Sequence, residues 1–357
     1  MPLPSTTKAL VLRASSLTKD SIYHDARLES LPIPALKAGQ VLVRVHAVSF
    51  NRRDYWIRRN LYPGIAMGSV LGSDFAGVVV AAADPRDALL GRRVFGYPSR
   101  GWDSAPDGPE SPFGVVGGVK FPQFGTFSEH LVVDRDEVIE SCSHLDDVQM
   151  SAWPLAGVTA WRAVVVHGIV GPGQNVLITG IGGGVAMVAL QLCVALGAKV
   201  WVTSGDERKI AKAVELGAQG GVNYKSQDWP SQLQSKLGRG FLLDVVIDSA
   251  GGDICVKTLS ILKHGAIIVC YGMTAVPVIK FTMREVMRNI QLKGSMMGSH
   301  KELREATEFI AKHRIVPVVS QVLDGLENAE EGFEALAKGS QMGKIVIKIR
   351  QPTTARL

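Results

Sequence analysis

Cysteine is scarce in this chain, and its few copies show no pairing pattern. Four cysteines occur among 357 residues, and no two of them form a C-x-x-C pair. They are Cys142, Cys193, Cys255 and Cys270. This scarcity excludes a disulfide framework and a zinc ribbon. We therefore expect free, mostly buried thiols in a reducing compartment.

The chain also lacks long apolar runs, targeting signals and concentrated charge. No apolar run reaches about 18 residues, which is the length that a membrane-spanning helix needs. The N-terminal MPLPSTTKALVLRA has neither the charged-then-apolar order of a secretory signal nor a clear mitochondrial pattern. The net charge of +6 is dispersed, and no nucleic-acid-reading motif accompanies it. We expect an unprocessed cytoplasmic protein with an anionic cofactor or substrate, no membrane contact and no nucleic-acid partner.

The length allows two domains, each with its own core. The part up to about residue 150 is rich in predicted strands, namely Lys8–Arg13, Val41–Ser49, Gly77–Ala81, Arg93–Phe95 and Thr126–Val133. Tyr97–Gln123 is a long loop rich in proline and glycine, and we expect either the lip of an active site or a mobile segment. A predicted helix at Ser151–Val166 marks the expected domain boundary.

From Gly173 to about Gly298 the pattern alternates between strand and helix. The predicted strands are Asn175–Thr179, Lys199–Thr203, Gly221–Asn223, Leu243–Asp248, Ala266–Tyr271 and Gln291–Gly294. The predicted helices are Val185–Leu196, Glu207–Leu216, Ser231–Leu237, Ile254–Ile261 and Met283–Arg288. This alternation predicts a doubly wound parallel sheet with helices on both faces. Two more helices, Lys301–Lys312 and Ala329–Ala337, precede a terminal strand, Lys344–Ile349, which we expect to rejoin the first domain.

The most informative segment is a glycine turn between a strand and a helix, LITGIGGGVAMVALQLC at 177–193. Its residues at the turn are Gly180, Gly182, Gly183, Gly184 and Val185. Glycines let a phosphate approach the backbone, and the start of a helix attracts negative charge. The spacing fits G-x-x-G-x-x-A, ending at Ala186. Glycines alone also occur in tight turns without a ligand, but the flanking strands and helix indicate a dinucleotide site.

The end of the second strand bears on the choice of dinucleotide. NAD-binding sheets place Asp or Glu there to accept bonds from the ribose hydroxyls. Here the strand ends at Ser204, which leaves room for a 2′-phosphate, and Arg208 or Lys209 can supply positive charge. This arrangement favours NADPH. The alternative, in which Asp206 accepts the ribose bonds and the cations are solvated, stays open.

Several motifs occur together in a characteristic order. They are Asn51-x-x-Asp54, LGSDFAG at 71–77, GVTAW at 157–161, the glycine turn, DSAGG at 248–252 and GKIV at 343–346. This set resembles the medium-chain dehydrogenase/reductase superfamily in its zinc-free quinone-oxidoreductase branch. The resemblance implies an α/β fold with a doubly wound parallel Rossmann sheet plus a β-rich GroES-like domain. It places the GroES-like catalytic domain at 1–150, completed by about 315–357, and the NADP-binding Rossmann domain at 151–314, and it implies a homodimer.

The resemblance also bears on metal binding. Its zinc-dependent members have Cys at the place of Asn51, His at the place of Ser73 and a third ligand near Leu155. Catalytic zinc needs three protein ligands with sulfur, nitrogen or carboxylate donors. Asparagine, serine and leucine do not form that set, so we expect no metal.

The resemblance implies a catalytic group and a set of cofactor contacts. Asn51 is expected as a donor near the nicotinamide ribose and the substrate, and Tyr55 or Tyr62 as the carbonyl partner or proton relay. The alternative, in which the tyrosines line the cleft or the core, stays open and is slightly favoured for Tyr55. Lys209 and Tyr224 are expected at the 2′-phosphate. Ser249, Ala250 and Gly251 are expected near the adenine ribose and pyrophosphate. Thr159, Tyr271, Gly272 and Met273 are expected near the nicotinamide.

The reaction expected is hydride transfer from NADPH to a quinone or an α,β-unsaturated carbonyl. One departure from the resemblance is the pair Arg52-Arg53, where relatives more often have proline or small residues, and it favours an anionic or bulky substrate. Three alternatives stay open: an enoyl-thioester reductase with Arg52, Arg53 and Arg58 at its mouth, a zinc-type alcohol dehydrogenase, and a non-catalytic NADPH-binding protein.

Overall fold

The computed structural model describes residues 3–15 and 22–350. Its internal contacts divide the chain into two compact units: the first runs to Leu155 and resumes at Ser299, and the second is Ala156–Gly298. The domain limits expected from the sequence, 1–150 with 315–357 and 151–314, stay a prediction. The contacts group residues 299–314 with the first unit. In the described ranges no helix is both long and apolar enough to cross a membrane.

The N-terminal part of the first unit is built mainly of strands. These are β1 (Thr6–Arg13), β2 (Asp25–Pro32), β3 (Gln40–Ser49), β4 (Asp74–Ala82), β5 (Arg93–Gly96), β6 (Ser99–Arg100), β7 (Gly114–Val115), β8 (His130–Asp134) and β9 (Val138–Glu140). Its helices are α1 (Arg52–Arg58) and α2 (Asp147–Ser151), and α3 (Pro154–Trp161) leads into the second unit, followed by a π-helical stretch at Arg162–His167.

The second unit alternates strands and helices. Its strands are β10 (Asn175–Ile178), β11 (Lys199–Ser204), β12 (Gly220–Asn223), β13 (Leu243–Asp248), β14 (Leu262–Cys270) and β15 (Gln291–Gly294). Its helices are α4 (Gly184–Ala195), α5 (Glu207–Glu215), α6 (Trp229–Leu237), α7 (Ile254–Thr258) and α8 (Met283–Val286). The chain then returns to the first unit through α9 (His300–His313), β16 (Val319–Asp324), α10 (Ala329–Lys338) and β17 (Lys344–Lys348).

The main sheet of the first unit has the order β16-β17-β3-β4-β5-β9, with β8 also paired to β3. The C-terminal strand β17 lies antiparallel to β3, which confirms that the terminal strand rejoins the first unit. The alternating sequence of β3 buries its valines in a core that also holds Phe50. The Phe50 ring meets Phe127 and Phe333 edge-on at 5.0 Å each. These contacts fix the start of α1, where Asn51 lies.

The sheet of the second unit has the order β12-β11-β10-β13-β14-β15, and every pair is parallel. Its central strands are almost continuous apolar runs because helices cover both faces. The chain runs from β10 outward to β12 and then restarts at β13 on the other side of β10. The carboxyl ends of β10 and β13 therefore form a topological switch point, the place where such sheets bind ligands. The predicted fold class is confirmed.

Some elements differ from the predictions. The strand expected at Thr126–Val133 is shorter and later, as β8, and β2, α1 and β16 were not expected from the sequence. β2 alternates between charged and apolar residues only over 25–29, and it pairs with β1 alone. The sequence of α1, RRDYWIR, is dominated by charge and aromatics rather than by an apolar stripe.

The expected long loop at Tyr97–Gln123 is ordered by local contacts. β6 and β7 pair with each other inside it, and the Trp102 side chain is buried. The Glu110 carboxylate accepts the backbone N–H groups of Ser104 and Asp103 at 2.7 and 2.8 Å, and that of Ala105. These donors lower the pKa of Glu110 to about 2. The segment is thus a folded loop pinned at several points.

Candidate active site and cofactor site

A buried polar cluster lies at the start of α1. Asp74 begins β4 directly opposite Ser49, the last residue of β3, and its side chain is fully buried. Asn51 Nδ2 donates to Asp74 Oδ2 at 2.8 Å and to Ser73 Oγ at 3.1 Å. Both N–H groups of the Asn51 amide are therefore used inside the protein.

The cation of this cluster is Lys344, the first residue of β17. Its ammonium donates to Asn51 Oδ1 at 2.6 Å and to Asp74 Oδ2 at 2.9 Å. The lysine side chain is 4% exposed and the aspartate side chain 0%. A charge buried this deeply needs a partner, and each of these two ions supplies it for the other.

Hydrogen bonds saturate the Asp74 carboxylate. Its Oδ1 accepts the backbone N–H of Leu155 at 3.0 Å, and its Oδ2 also accepts Ser49 Oγ at 3.1 Å. Of the positions 51, 73 and 155, where the resemblance places zinc ligands, 51 and 155 thus bond to one carboxylate, and Ser73 bonds to Asn51. This chain has an ion pair and hydrogen bonds at these positions.

The residues at this place do not fit a catalytic zinc ion. An amide, a hydroxyl and a backbone N–H stand where zinc needs thiolate, imidazole or carboxylate donors. The Lys344 ammonium bonds directly to Asn51 Oδ1, so the amide oxygen at this place already holds a cation. In the part of the chain that the structure describes, no group of three or more His, Cys, Asp or Glu residues is arranged to hold a metal.

The geometry corrects the expected role of Asn51. The resemblance suggested that its amide donates to a substrate or ribose oxygen. Both of its N–H groups are already bound to Asp74 and Ser73, so donation to a ligand would break a buried bond. Its Oδ1 accepts only the Lys344 ammonium in the described structure and keeps acceptor capacity. The group of Asn51 that keeps a free hydrogen-bonding capacity is thus an acceptor, not a donor.

Asp54 adds a second buried carboxylate to the start of α1. Its Oδ2 accepts the backbone N–H of Asn51 at 2.8 Å, which fixes the entry to the helix. Its Oδ1 has no hydrogen-bond partner, and the Arg53 guanidinium lies 3.7 Å away. Burial raises the pKa of Asp54 from 3.8 to about 6.

The arginines of α1 are bound within the protein, so their contacts give no support to the prediction that Arg52-Arg53 favours an anionic or bulky substrate. The Arg53 guanidinium is buried and donates to the carbonyls of Val116 and Gly117 at 2.6 and 2.8 Å. Arg58 is buried as well and binds the His24 carbonyl and Glu330. Arg52 donates to a carbonyl of α10. None of the three presents an unengaged cation.

The two candidate tyrosines lie in different surroundings. Tyr62 is half-buried against the core of the first unit, and the Arg53 guanidinium lies 4.7 Å from its ring centre. The Tyr55 hydroxyl accepts a bond from Arg59 at 3.4 Å. Tyr55 also lines a cavity of about 420 Å³ together with Tyr23 and Glu330. Asn51 does not line that cavity, so the structure does not gather the three candidate catalytic residues at one point.

In the second unit the glycine turn has the geometry that a pyrophosphate needs. Gly180 and Gly182 have φ angles of 62° and 127°, which side chains disfavour. Gly183 precedes α4, no side chain caps this helix, and an added Cβ at Gly183 would meet nothing within 4 Å. Gly184 and Val185, the first two residues of α4, are half-exposed. Backbone N–H groups are thus presented at the positive end of a helix.

The buried Asp248 orders the loop on the other side of the switch point. Its Oδ1 accepts Thr179 Oγ1 at 2.6 Å, and its Oδ2 accepts the N–H groups of Gly251 and Ala250 at 2.7 and 3.2 Å. The next residue, Ser249, places its Oγ 3.2 Å from where a Cβ of Gly180 would lie. The expected residues after β10 and β13 are therefore adjacent.

The loop after β14 joins the same edge of the sheet. Tyr271 N donates to the carbonyl of Asp248 at 3.0 Å, and a Cβ on Gly272 would lie 3.0 Å from the Ser249 carbonyl oxygen. Met273 is exposed. Thr159 is buried in α3, and its Oγ1 lies 3.7 Å from Met297 Sδ. The structure thus brings the expected residues that follow β10, β13 and β14 to one end of the sheet. Thr159 is the exception, because it lies in α3 and its hydroxyl contacts Met297.

At the end of β11 the charges are already partly paired. Ser204 is buried, and its Oγ accepts the Asp206 N–H at 3.2 Å. The Asp206 carboxylate caps α5 and binds the Arg208 guanidinium at 2.8 Å, which lowers the pKa of Asp206 to about 2. The Asp206 carboxylate therefore already has a partner, the Arg208 guanidinium, whose side chain is 91% exposed. Lys209, half-buried, and Tyr224 are the remaining expected phosphate contacts.

Two family models match the chain. The model described as alcohol dehydrogenase GroES-like domain matches residues 37–143, and the one described as zinc-binding dehydrogenase matches residues 184–312. A zinc-type alcohol dehydrogenase-like protein, YogA, of Leptosphaeria maculans is 42% identical over 355 residues, which cover 95% of this chain and 99% of the relative. The chain belongs to the medium-chain dehydrogenase/reductase superfamily.

Solved structures agree with this assignment. The crystal structure of an NAD-dependent alcohol dehydrogenase is 28% identical, with a TM-score of 0.85 over 96% of this chain and all of that one. A crotonyl-CoA carboxylase/reductase, AntE, in complex with NADP has a TM-score of 0.83 at 22% identity, over 98% of this chain and 96% of that one, and shows the shared fold alone. The protein is thus an oxidoreductase of a superfamily whose members bind nicotinamide cofactors.

The ion pair of Asp74 and Lys344 is the functional feature that sequence reasoning missed. Both residues stood inside quoted motifs without a role. The sequence feature that could have indicated this pair is a charged residue at the start of each of two mostly apolar strands, DFAGVVVAA and KIVIK. Charged residues in such strands are rarely buried unless they are paired.

The first prediction concerns the stability of this cluster. Lys344→Met leaves Asp74 buried without its cation and should lower the free energy of unfolding by about 3–5 kcal/mol. Asp74→Asn should also be destabilising, because it leaves the buried Lys344 ammonium without its carboxylate partner. In the double variant Lys344→Met/Asp74→Asn no buried charge is left unpaired, so its loss should be clearly smaller than the sum of the single losses. Urea unfolding of the four proteins measures this, and simple additivity would contradict a coupled buried pair.

Proposed function

We propose that this protein is a zinc-free, NADPH-dependent reductase of the superfamily that acts on quinones or α,β-unsaturated carbonyl compounds, as the quinone-oxidoreductase branch does. The observation that carries the proposal is the Lys344 ammonium bonded to Asn51 and Asp74 at the place of the zinc ligands. We assign substrate-side groups to the first unit and the NADP-binding role to the second.

When bound, the nicotinamide supplies a hydride to an electrophilic carbon. The glycine turn and the N-terminus of α4 hold the pyrophosphate, and the Asp248 network keeps the neighbouring loop in place. Asn51, held by Lys344, accepts a bond from a ligand hydroxyl. For the proton that completes the reduction, solvent is the source that we favour over Tyr55 and Tyr62, because Tyr55 lines a cavity that Asn51 does not line.

The substrate class follows from the absence of a fitting metal site. Polarising an alcohol or a simple ketone needs a strong electrophile, which zinc supplies in metal-dependent members. A quinone or an enone spreads the developing negative charge over its own conjugated system and needs less help. YogA is named as zinc-type, and that name describes the relative; the donor set at positions 51, 73 and 155 of this chain argues against zinc-assisted alcohol oxidation.

The enoyl-thioester alternative loses its main support. It relied on Arg52, Arg53 and Arg58 as an anion-binding mouth, and all three guanidinium groups are bound to backbone carbonyls or to Glu330. A protein that binds NADPH without turnover stays an outcome of the tests below.

We also propose a homodimer formed through the second unit. In the described structure β15 pairs only with β14, which leaves one edge of the sheet open. Large apolar side chains are exposed around this edge: Met273, Val276, Val278, Met283, Val286, Met287, Leu292 and Met296. Apolar surface next to an open strand edge favours pairing with a second chain. A second copy of the same chain satisfies both features by symmetry.

The second prediction tests the cofactor and the reaction. The wild-type protein should oxidise NADPH faster than NADH when a quinone or an enone is present. Ser204→Asp should raise KM for NADPH about tenfold, or ~1.4 kcal/mol, and lower KM for NADH, because the carboxylate repels a 2′-phosphate and accepts ribose hydroxyls. Steady-state kinetics with both cofactors measures the change.

The matched control for this test is Ser235→Asp, which adds the same charge on the exposed surface of α6. It should leave both KM values unchanged. Wild-type preference for NADH, or an unchanged cofactor ratio in Ser204→Asp, would contradict the NADPH assignment. NADPH binding without turnover of any quinone or enone would contradict the proposed activity.

The third prediction concerns assembly. Light scattering should give twice the chain mass of 38.3 kDa. Leu292→Lys, in β15, should produce a monomer, because it buries a charge at the proposed interface. Leu28→Lys is the control: Leu28 lies on β2 and is 38% exposed, against 36% for Leu292. A wild-type monomer, or a Leu292→Lys dimer as stable as the wild type, would refute this interface.

A further inference from the structure

A tyrosine and a lysine converge on a single glycine at the end of β11. A Cβ built on Gly205 would lie 2.8 Å from Tyr224 Oη and 2.9 Å from Lys225 Cε. Real Cβ atoms do not approach other atoms so closely, so the missing side chain is what allows these two groups to reach back over the backbone. The contact places a phenol and a lysine side chain directly beside Ser204, the residue whose small size favoured NADPH.

Backbone contacts hold this arrangement in place. Ser204 and Asn223 are register partners on the parallel strands β11 and β12. Just beyond them, Tyr224 N donates to the Ser204 carbonyl at 3.1 Å, and Lys225 N donates to Asn223 Oδ1 at 3.1 Å. The turn after β12 is therefore tied to the end of β11, and its side chains are directed toward Gly205.

The charges around this corner leave Lys225 as an unengaged cation. Arg208 is bound to Asp206, and Glu207 accepts a bond from Asn223 Nδ2 at 3.1 Å. Within the described residues no carboxylate forms an ion pair with Lys225. Tyr224 is half exposed although it is a large aromatic side chain. An exposed ring beside an unpaired lysine suits an anionic ligand whose ring or ribose covers the phenol.

We propose that Lys225 is a cation that binds the 2′-phosphate of NADPH, and that Gly205 determines this specificity because only a residue without a side chain lets Lys225 and Tyr224 reach the phosphate. This inference deepens the proposed function and rests on it. It adds Lys225 and Gly205 to the contacts expected from the sequence, which named Lys209 and Tyr224. Arg208, the other expected cation, has its guanidinium bound to Asp206.

The test measures binding without turnover. Adenosine 2′,5′-bisphosphate and adenosine 5′-monophosphate are titrated calorimetrically into the wild type and four variants: Lys225→Ala, Lys225→Arg, Gly205→Ala and Lys236→Ala. Lys225→Ala should weaken binding of the bisphosphate about tenfold, because one charge-assisted contact is lost. Lys225→Arg should restore most of it. None of the variants should change binding of the monophosphate.

Gly205→Ala changes the position of the Lys225 side chain without changing its charge. Its new methyl group would displace the mobile ends of Tyr224 and Lys225, while the φ of Gly205 is not in the left-handed region, so the fold should tolerate it. It should weaken binding of the bisphosphate as Lys225→Ala does, with an unchanged melting temperature. Lys236→Ala removes an exposed lysine from α6 and should have no effect. The affinity of the wild type for the bisphosphate should fall with added salt, and less steeply so in Lys225→Ala.

Two failures are distinguishable. If the wild type prefers the bisphosphate but Lys225→Ala and Gly205→Ala bind it as tightly as the wild type, this inference is overturned and the NADPH assignment stands. If the wild type binds the bisphosphate no better than the monophosphate, the NADPH assignment fails, and this inference fails with it.

Discussion

The site at the start of α1 depends on one ammonium ion held out of water between an amide and a carboxylate. Lys344 reaches it from the C-terminal strand, Asp74 from β4 and Asn51 from the end of β3. The interaction therefore needs three strands in register, and it couples the last strand of the chain to the first helix. It also carries the proposal of a zinc-free reaction, because the side chains around this ammonium do not form the donor set of a catalytic zinc ion.

A second buried carboxylate organises the cofactor side in a comparable way. Asp248 binds Thr179 from β10 and the backbone of its own loop, so the two loops at the switch point are held in one arrangement before any ligand arrives. Such preorganisation lets the exposed N–H groups of the glycine turn and α4 act on a pyrophosphate without reordering. In both units a buried carboxylate fixes the groups that we assign to ligand binding.

The sequence predicted what repeats or alternates and missed what depends on tertiary pairing. The βαβ periodicity gave the Rossmann sheet, and the glycines after β10 located its switch point. β16 shows no apolar alternation and the alternation of β2 stops at Ser30, so these edge strands were recognised only through their partners β17 and β1. The role of Arg53 was misjudged because no local pattern shows that three carbonyls from residues 115–117 surround it. Likewise, Asn51 looked like a donor until Ser73 and Asp74 were seen to use both of its N–H groups.

Metal analysis of the purified protein tests the central claim most directly. The protein is incubated with excess zinc, dialysed extensively, and measured by inductively coupled plasma mass spectrometry, with NADPH-dependent quinone reduction recorded before and after treatment with a chelator. If the Lys344 ion pair occupies the site, bound zinc will stay far below one ion per chain and the activity will not depend on the chelator. About one retained zinc per chain, with activity lost on its removal, would contradict the account.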